Sequence, residues 1–129
     1  MIDHLSISVS DLDVSARFYE AALSVLGYVP VLRFADDASF GVLEGEKASS
    51  DPGGEFWIHK GTPTAPLAHF AFSATSREAV HAFHAAAIAA GGTNNGDPGL
   101  RPHYHDLYYA AFIRDPDGYG IEAVYHRAK

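Results

Sequence analysis

Residues 4–28 read HLSISVSDLDVSARFYEAALSVLGY, and residues 69–93 answer them with HFAFSATSREAVHAFHAAAIAAGGT. The two stretches overlay at a constant offset of 65 without a gap. His4 meets His69, Ser8 meets Ser73, Phe18 meets Phe83, Ala21 and Ala22 meet Ala86 and Ala87, and Gly27 meets Gly92. In the first copy Ile2, Leu5, Ile7 and Val9 alternate mostly with period two, as a half-buried strand requires. Ser10 to Asp13 fits a capping box, which predicts a helix start. Val14, Phe18, Ala21, Ala22 and Val25 then form an apolar stripe, and Gly27 ends the helix. The second copy repeats this grammar: the strand AHFAFSA, a capping box from Thr75 to Glu78, a stripe of Val80, Phe83, Ala87 and Ala90, and a stop at Gly91 and Gly92. Two unrelated amphipathic helices would not share caps, preceding strands and glycines in one register. A duplicated unit sets its repeated polar residues at related points in space. His4 and His69, each opening a matching strand, are therefore a candidate pair at a shared site.

Outward from each helix the chain reads as short strands. In the first half they cover roughly 28–34, 38–44 and 55–60. In the second they cover about 107–114 and 119–126, preceded by a less regular stretch at 93–102. Gly/Pro-rich links at 45–54 and 93–102 separate them. Asn94-Asn95-Gly96 reads as turn chemistry. Asp115-Pro116-Asp117-Gly118 suits a type I turn and predicts a hairpin between the last two strands. Each half then has the order β-α-β-β-β, with the boundary at 61–66. The expected fold class is α+β: two tandem βαβββ modules, about 1–62 and 66–129, forming an open barrel-like cavity in a single domain. A chain of 129 residues is the size of one domain.

With 47% hydrophobic residues the chain can bury a core, and its net charge of −7 disfavours nonspecific binding to nucleic acid or anionic membrane. It has no cysteine, which excludes disulfides, thiolate metal sites and thiol nucleophiles. No apolar run reaches the ~18 residues of a membrane span, and the start MIDHLSISVS lacks the basic and apolar regions of a secretory signal. A soluble cytoplasmic protein is expected.

The doubled βαβββ pattern, the opening strand DHLSISVSDLDVSARFY, the second-half strand AHFAFSA and the closing hairpin DPDGYGIEAVYH together resemble the vicinal oxygen chelate superfamily. That group includes glyoxalase I, fosfomycin and bleomycin resistance proteins and extradiol dioxygenases. The resemblance covers nearly the whole chain. It implies a divalent metal in the cavity, held from the first and last strands of each module, and a homodimer. Carried over residue by residue, it makes His4, His69 and Glu122 the metal ligands. The fourth family position falls in EFWIHK, where glyoxalases have a carboxylate. Aligning IHK with IEA sets His59 against Glu122; aligning FWI with IEA sets Trp57 there. Trp57 and His59 have the same parity, so both face the cavity in either alignment. His59 is open as a fourth ligand or a substrate contact, and Trp57 walls the pocket. Two imidazoles and a carboxylate with open positions suit Fe, Mn, Zn or Ni. Such an ion binds two adjacent substrate oxygens and stabilises the negative charge that develops on them.

The segment Arg101 to Tyr109 has no first-half counterpart. Anchoring Phe40 on Phe112 gives an offset of 72, seven more than 65. Insertions beside a duplicated scaffold carry specificity. His105 and Tyr109, with Glu122, are candidate catalytic groups able to move protons near neutral pH. Arg101, His103 and Tyr108, with Trp57 and His59, are candidate substrate-binding residues. A dimer contact or an aromatic loop packed on the surface is the competing reading of this segment. His81 and His84, three apart on the second helix, read as a solvated face. The reaction implied by the resemblance is that of a metal-dependent lyase, isomerase or dioxygenase. The alternatives are a metal-free binding module of the bleomycin resistance type and a fosfomycin-type thiol transferase. Against glyoxalase activity itself stand the missing first-module carboxylate and the lack of a basic cluster for glutathione.

Overall fold

Each copy of the repeat folds as a strand, a helix and three more strands. The structure, a computed structural model, describes residues 1–128; residue 129, the end of the expected second module, lies outside the described residues. The first module runs β1 (Leu5–Val9), α1 (Leu12–Ser24), β2 (Val29–Arg33), β3 (Asp37–Gly41) and β4 (Phe56–Lys60). The second runs β5 (His69–Ser73), α2 (Arg77–Ala89), β6 (Thr93–Leu100), β7 (Tyr109–Arg114) and β8 (Gly120–Tyr125). They form two separate four-stranded mixed sheets, β1-β4-β3-β2 and β5-β8-β7-β6, and the barrel does not close. In each, the first and last strands are parallel and the remaining pairs antiparallel. No described helix is long and apolar enough to cross a membrane.

Both helices have 13 residues and keep the offset of 65 from end to end. Their caps sit one residue later than the capping boxes predict. Asp11 accepts from the Val14 amide at 3.1 Å, and Ser76 accepts from the Ala79 amide at 3.0 Å. Ser10 is drawn away to Asp117, and Asp13 pairs with Arg33 instead. The buried stripe of α1 is Leu12, Ser15, Phe18, Tyr19, Ala22 and Leu23, rotated from the expected one, and Val14 and Val25 are exposed. Left-handed glycines close both helices, Gly27 (φ 91°) and Gly91 (φ 105°), the second one residue nearer its helix than the repeat demands.

The region 93–100, read as irregular, is a strand. Its register with β7 shifts between Asn94 and Gly96 and again between Gly96 and Gly99, the signature of bulges, so Asn94-Asn95-Gly96 is not a free turn. The inter-strand register also resolves the alignment of EFWIHK. Ser6 faces Trp57, Ala71 faces Glu122, and Ser6 and Ala71 are 65 apart. Trp57 therefore holds the place of Glu122, and His59 that of Val124. Ser39 faces Trp57 while Phe112 faces Glu122. The counterpart of Phe112 is thus Ser39, not Phe40. The offset there is 73, and the second half carries eight extra residues rather than seven. One residue of register moves a side chain to the opposite sheet face, so the correction decides which aromatic reaches the site.

The two modules share one core cluster. Phe56 joins them, its ring 4.8 Å from Tyr19, 5.5 Å from Phe70 and 5.3 Å from Phe72. The Asp115-Pro116-Asp117-Gly118 turn forms as expected and docks on the first module. Tyr19 donates to the buried Asp115 at 2.5 Å, Tyr119 donates to the Ser8 carbonyl at 2.7 Å, and the Ser10 amide donates to Asp117 at 3.0 Å. Each sheet keeps a second face. Ile7, Val9, Phe56 and Ile58 point to the core, so Ser6, Ser8, Trp57 and His59 point away from it. In the second module Phe70 and Phe72 point inward, and His69, Ala71 and Ser73 outward.

Candidate functional site

On β8, Ile121 and Ala123 face the core and Glu122 between them faces the other way, yet it is only 4% exposed. Chain from the 101–108 connection covers it. Tyr108 donates to Glu122 Oε1, and His69 Nε2 lies 2.6 Å from Glu122 Oε2. A carboxylate only accepts, so His69 carries its proton on Nε2 and donates it. Burial first, and then the hydrogen bond and charge of Glu122, push the Tyr108 phenol well above its ordinary value, so it stays protonated as a donor. His69 opens β5 with its side chain 52% exposed and its ring stacked on Phe112, centroids 6.1 Å apart. The ring lies against Gly120: a Cβ there would come 2.8 Å from His69 Nδ1, so only glycine gives it room.

The rest of the inserted segment and the residue after β8 surround Tyr108. Rings of Tyr104, His105 and His126 lie 4.8, 5.4 and 5.1 Å from it, and His103 packs on Tyr104 at 4.2 Å. His105 does not meet Glu122. The Leu107 amide donates to His105 Nδ1, so the neutral ring holds its proton on Nε2, which donates to His126 Nδ1 at 3.0 Å. His126 was no candidate in the sequence, because the repeat sets it against Gly61; the last strand, expected to run to 126, ends at Tyr125. Arg101, expected as a substrate clamp, spends its guanidinium on the Gly99 and Asp97 carbonyls at 2.9 and 2.6 Å and lies over Phe112. It braces the β6–β7 strand pair beside the site. Tyr109, expected as a catalytic group, does not join Glu122. Strand alternation puts it on the helix side of the sheet, where it bonds His81 at 2.6 Å under Arg77. His84 bonds Asn94 at 3.0 Å, so both α2 histidines tie the helix to the sheet instead of only facing solvent.

On the first sheet, His4 lies just before β1, its side chain 56% exposed and hydrogen-bonded to Asp3 at 2.8 Å. It lines a cavity of about 210 Å³ with Ser6, Asp51 and Trp57. Trp57 donates to the Gly54 carbonyl, which turns its indole along the 45–54 loop. His59 bonds Ser8 at 3.2 Å and has no counterpart ligand position. His4 and His69 also border a common cleft of about 490 Å³, floored by Tyr28, Phe56, Phe70 and Phe72.

His69 and Glu122 fit a divalent ion in donor chemistry, with an imidazole nitrogen and a carboxylate oxygen side by side on adjacent strands. The third expected donor does not join them: among the described residues no three His, Asp or Glu side chains converge. A single chain brings together two of the three, with His4 on the other module.

The chain matches the sequence profile of the glyoxalase/bleomycin resistance protein/dioxygenase superfamily over residues 1–123. It belongs to that superfamily. A solved glyoxalase/bleomycin resistance protein from Albidiferax ferrireducens T118 is 35% identical, with 98% of each chain covered and a TM-score of 0.75. A family enzyme from Burkholderia phytofirmans PsJN (18% identity, 98% of each chain, TM-score 0.70) and a domain from Frankia sp. EAN1pec (21%, 98% of each, TM-score 0.65) share the fold. No curated protein matches the chain. Superfamily membership and the two βαβββ modules agree with the resemblance read from the paired histidine strands and the closing hairpin.

Proposed function

We propose that the protein is a metal-dependent enzyme of the glyoxalase/dioxygenase type, acting on a small molecule that offers two adjacent oxygens. The observation that carries this reading is the His69–Glu122 pair, a half-exposed imidazole 2.6 Å from a buried carboxylate on an otherwise open sheet face. Burying a carboxylate is costly unless partners compensate it, and a sheet face with no ligand to hold has no need of one there. When bound, a divalent ion would polarise the substrate's vicinal oxygens and stabilise negative charge on them. His69 and Glu122 would hold it, with His4 as third ligand from a second copy of the chain. A two-fold dimer laying the first sheet of each copy on the second sheet of the other would build two such sites. Tyr108, His105 and His103 would border the substrate from the inserted segment, and Trp57 and His59 would wall it from the partner's sheet.

The test is elemental analysis of tag-free protein beside single alanine variants at His4, His69 and Glu122. Near-stoichiometric Fe, Mn, Zn or Ni, lost in each variant, supports the reading. Mixing His4→Ala with Glu122→Ala chains then reads the dimer. A site shared between copies is restored once per mixed dimer, whereas a site within one chain is not restored at all. No uptake of any of these ions would favour a metal-free binding module. The cleft of about 490 Å³ and a neighbouring one of about 740 Å³, lined by apolar and acidic side chains, are of ligand size and speak for that second reading.

A further inference from the structure

We infer that Tyr108 is a positioning residue: it occupies one oxygen of Glu122, so that the carboxylate can offer a metal ion only the other. This rests on the proposed metal site and deepens it. Glu122 has two oxygens and each has one partner, Tyr108 at Oε1 and His69 at Oε2. The His69 partner is itself a ligand, and its Nε2 proton leaves when a metal binds. The Tyr108 partner is not displaced in this way. Among the described residues its hydroxyl has no other acceptor, and its ring is wedged among Tyr104, His105 and His126. The segment that carries it is anchored at both ends, by Arg101 amide to Tyr108 carbonyl at 2.7 Å and by the Arg101 side chain on the Asp97 and Gly99 carbonyls. With Oε1 held, Glu122 binds through one oxygen. A carboxylate free at both oxygens can chelate and fill a coordination position that a two-oxygen substrate needs. The first module shows the alternative: Trp57 stands at the matching register position, has no counterpart of the 101–108 segment over it, and donates instead to the Gly54 carbonyl of the 45–54 loop. The insertion and the carboxylate thus occur together, in the second module only.

The experiment loads wild type, Tyr108→Phe and Tyr104→Phe with Co(II). It records the visible spectrum, the Kd by competition with a chelating indicator, and the Tm. Tyr108→Phe keeps the ring and its packing and removes only the donor. Its Co(II) bands should weaken as the coordination number rises, and its affinity should fall by about 10–100-fold, the usual effect of losing a partner that orients a ligand. Tyr104→Phe, which perturbs the same aromatic segment without touching Glu122, should keep the wild-type spectrum. A Tyr108→Phe protein with wild-type spectrum and Kd overturns the positioning role and leaves the metal site standing. A lowered Tm with an unaltered spectrum does the same, by assigning Tyr108 to stability alone. Wild type that takes up no Co(II) overturns this inference together with the metal-dependent reading.

Discussion

Gly120 has no side chain, and His69 uses the space. A methyl group at that position would press on His69 Nδ1 at 2.8 Å and drive the ring off Phe112 and away from Glu122. Gly120→Ala should therefore lose metal affinity by about 10–100-fold, while overpacking at one strand end costs about 1–3 kcal/mol of stability. Titration with Zn beside a thermal melt checks both numbers, and an alanine variant that binds like wild type would show that the ring tolerates displacement. Glu122 and His69 were legible in the sequence because each sits in a repeated or punctuated frame: the strand after a registered histidine, the fourth residue after Gly118. Tyr108 was legible only as one aromatic among several. Nothing local distinguishes it from Tyr109 beside it, yet strand alternation sends one to Glu122 and the other to His81.

The two helices show how far a pattern carries. Apolar spacing and a cap residue announce them, and both begin and end in register. Ser10 and Asp11 both fit an N-cap, as do Thr75 and Ser76, and the sequence does not choose between them. The choice falls to tertiary partners: the Asp115–Gly118 turn captures Ser10, leaving Asp11 to cap. Ser76→Ala should cost about 0.5–2 kcal/mol, the usual worth of an N-cap, whereas Thr75→Ala should cost clearly less. Urea unfolding of both variants measures this, and the reverse order would put the cap back at Thr75. The rotated stripe of α1 has a similar origin. Tyr19 and Ser15 are polar enough to look like surface in a sequence, but Tyr19 is buried because Asp115 of the other module waits for its hydroxyl. The bulged β6 escaped periodicity because its bulges interrupt period two.

Across the whole molecule, two tyrosines bolt the modules together. Burial, and next the charge of Asp115, raise the pKa of both Tyr19 and Tyr119 above the ordinary phenol value. A phenol with a folded pKa above its unfolded one contributes stability that is complete below about pH 10 and lost as pH rises through the folded value. Stability should therefore fall above about pH 10, and the phenolate absorbance of these two residues should appear with unfolding, not before it. A spectrophotometric titration alongside circular dichroism tests this, and ionisation of all seven tyrosines near pH 10 in a still-folded protein would contradict it. Tyr19→Phe removes one of the two bolts and leaves Asp115 short of a donor. The sequence by itself determined the doubled βαβββ order and the turn at Asp115–Gly118. Those follow from local periodicity and a repeat, which need no knowledge of what packs on what. Only the tertiary structure decided that Trp57 and not His59 holds the position equivalent to Glu122, that Tyr109 turns away and Tyr108 turns in, and that His4 does not converge with His69 and Glu122 in one chain. Each of these depends on inter-strand register or on the meeting of distant segments, and neither is written in the spacing of residues along one strand.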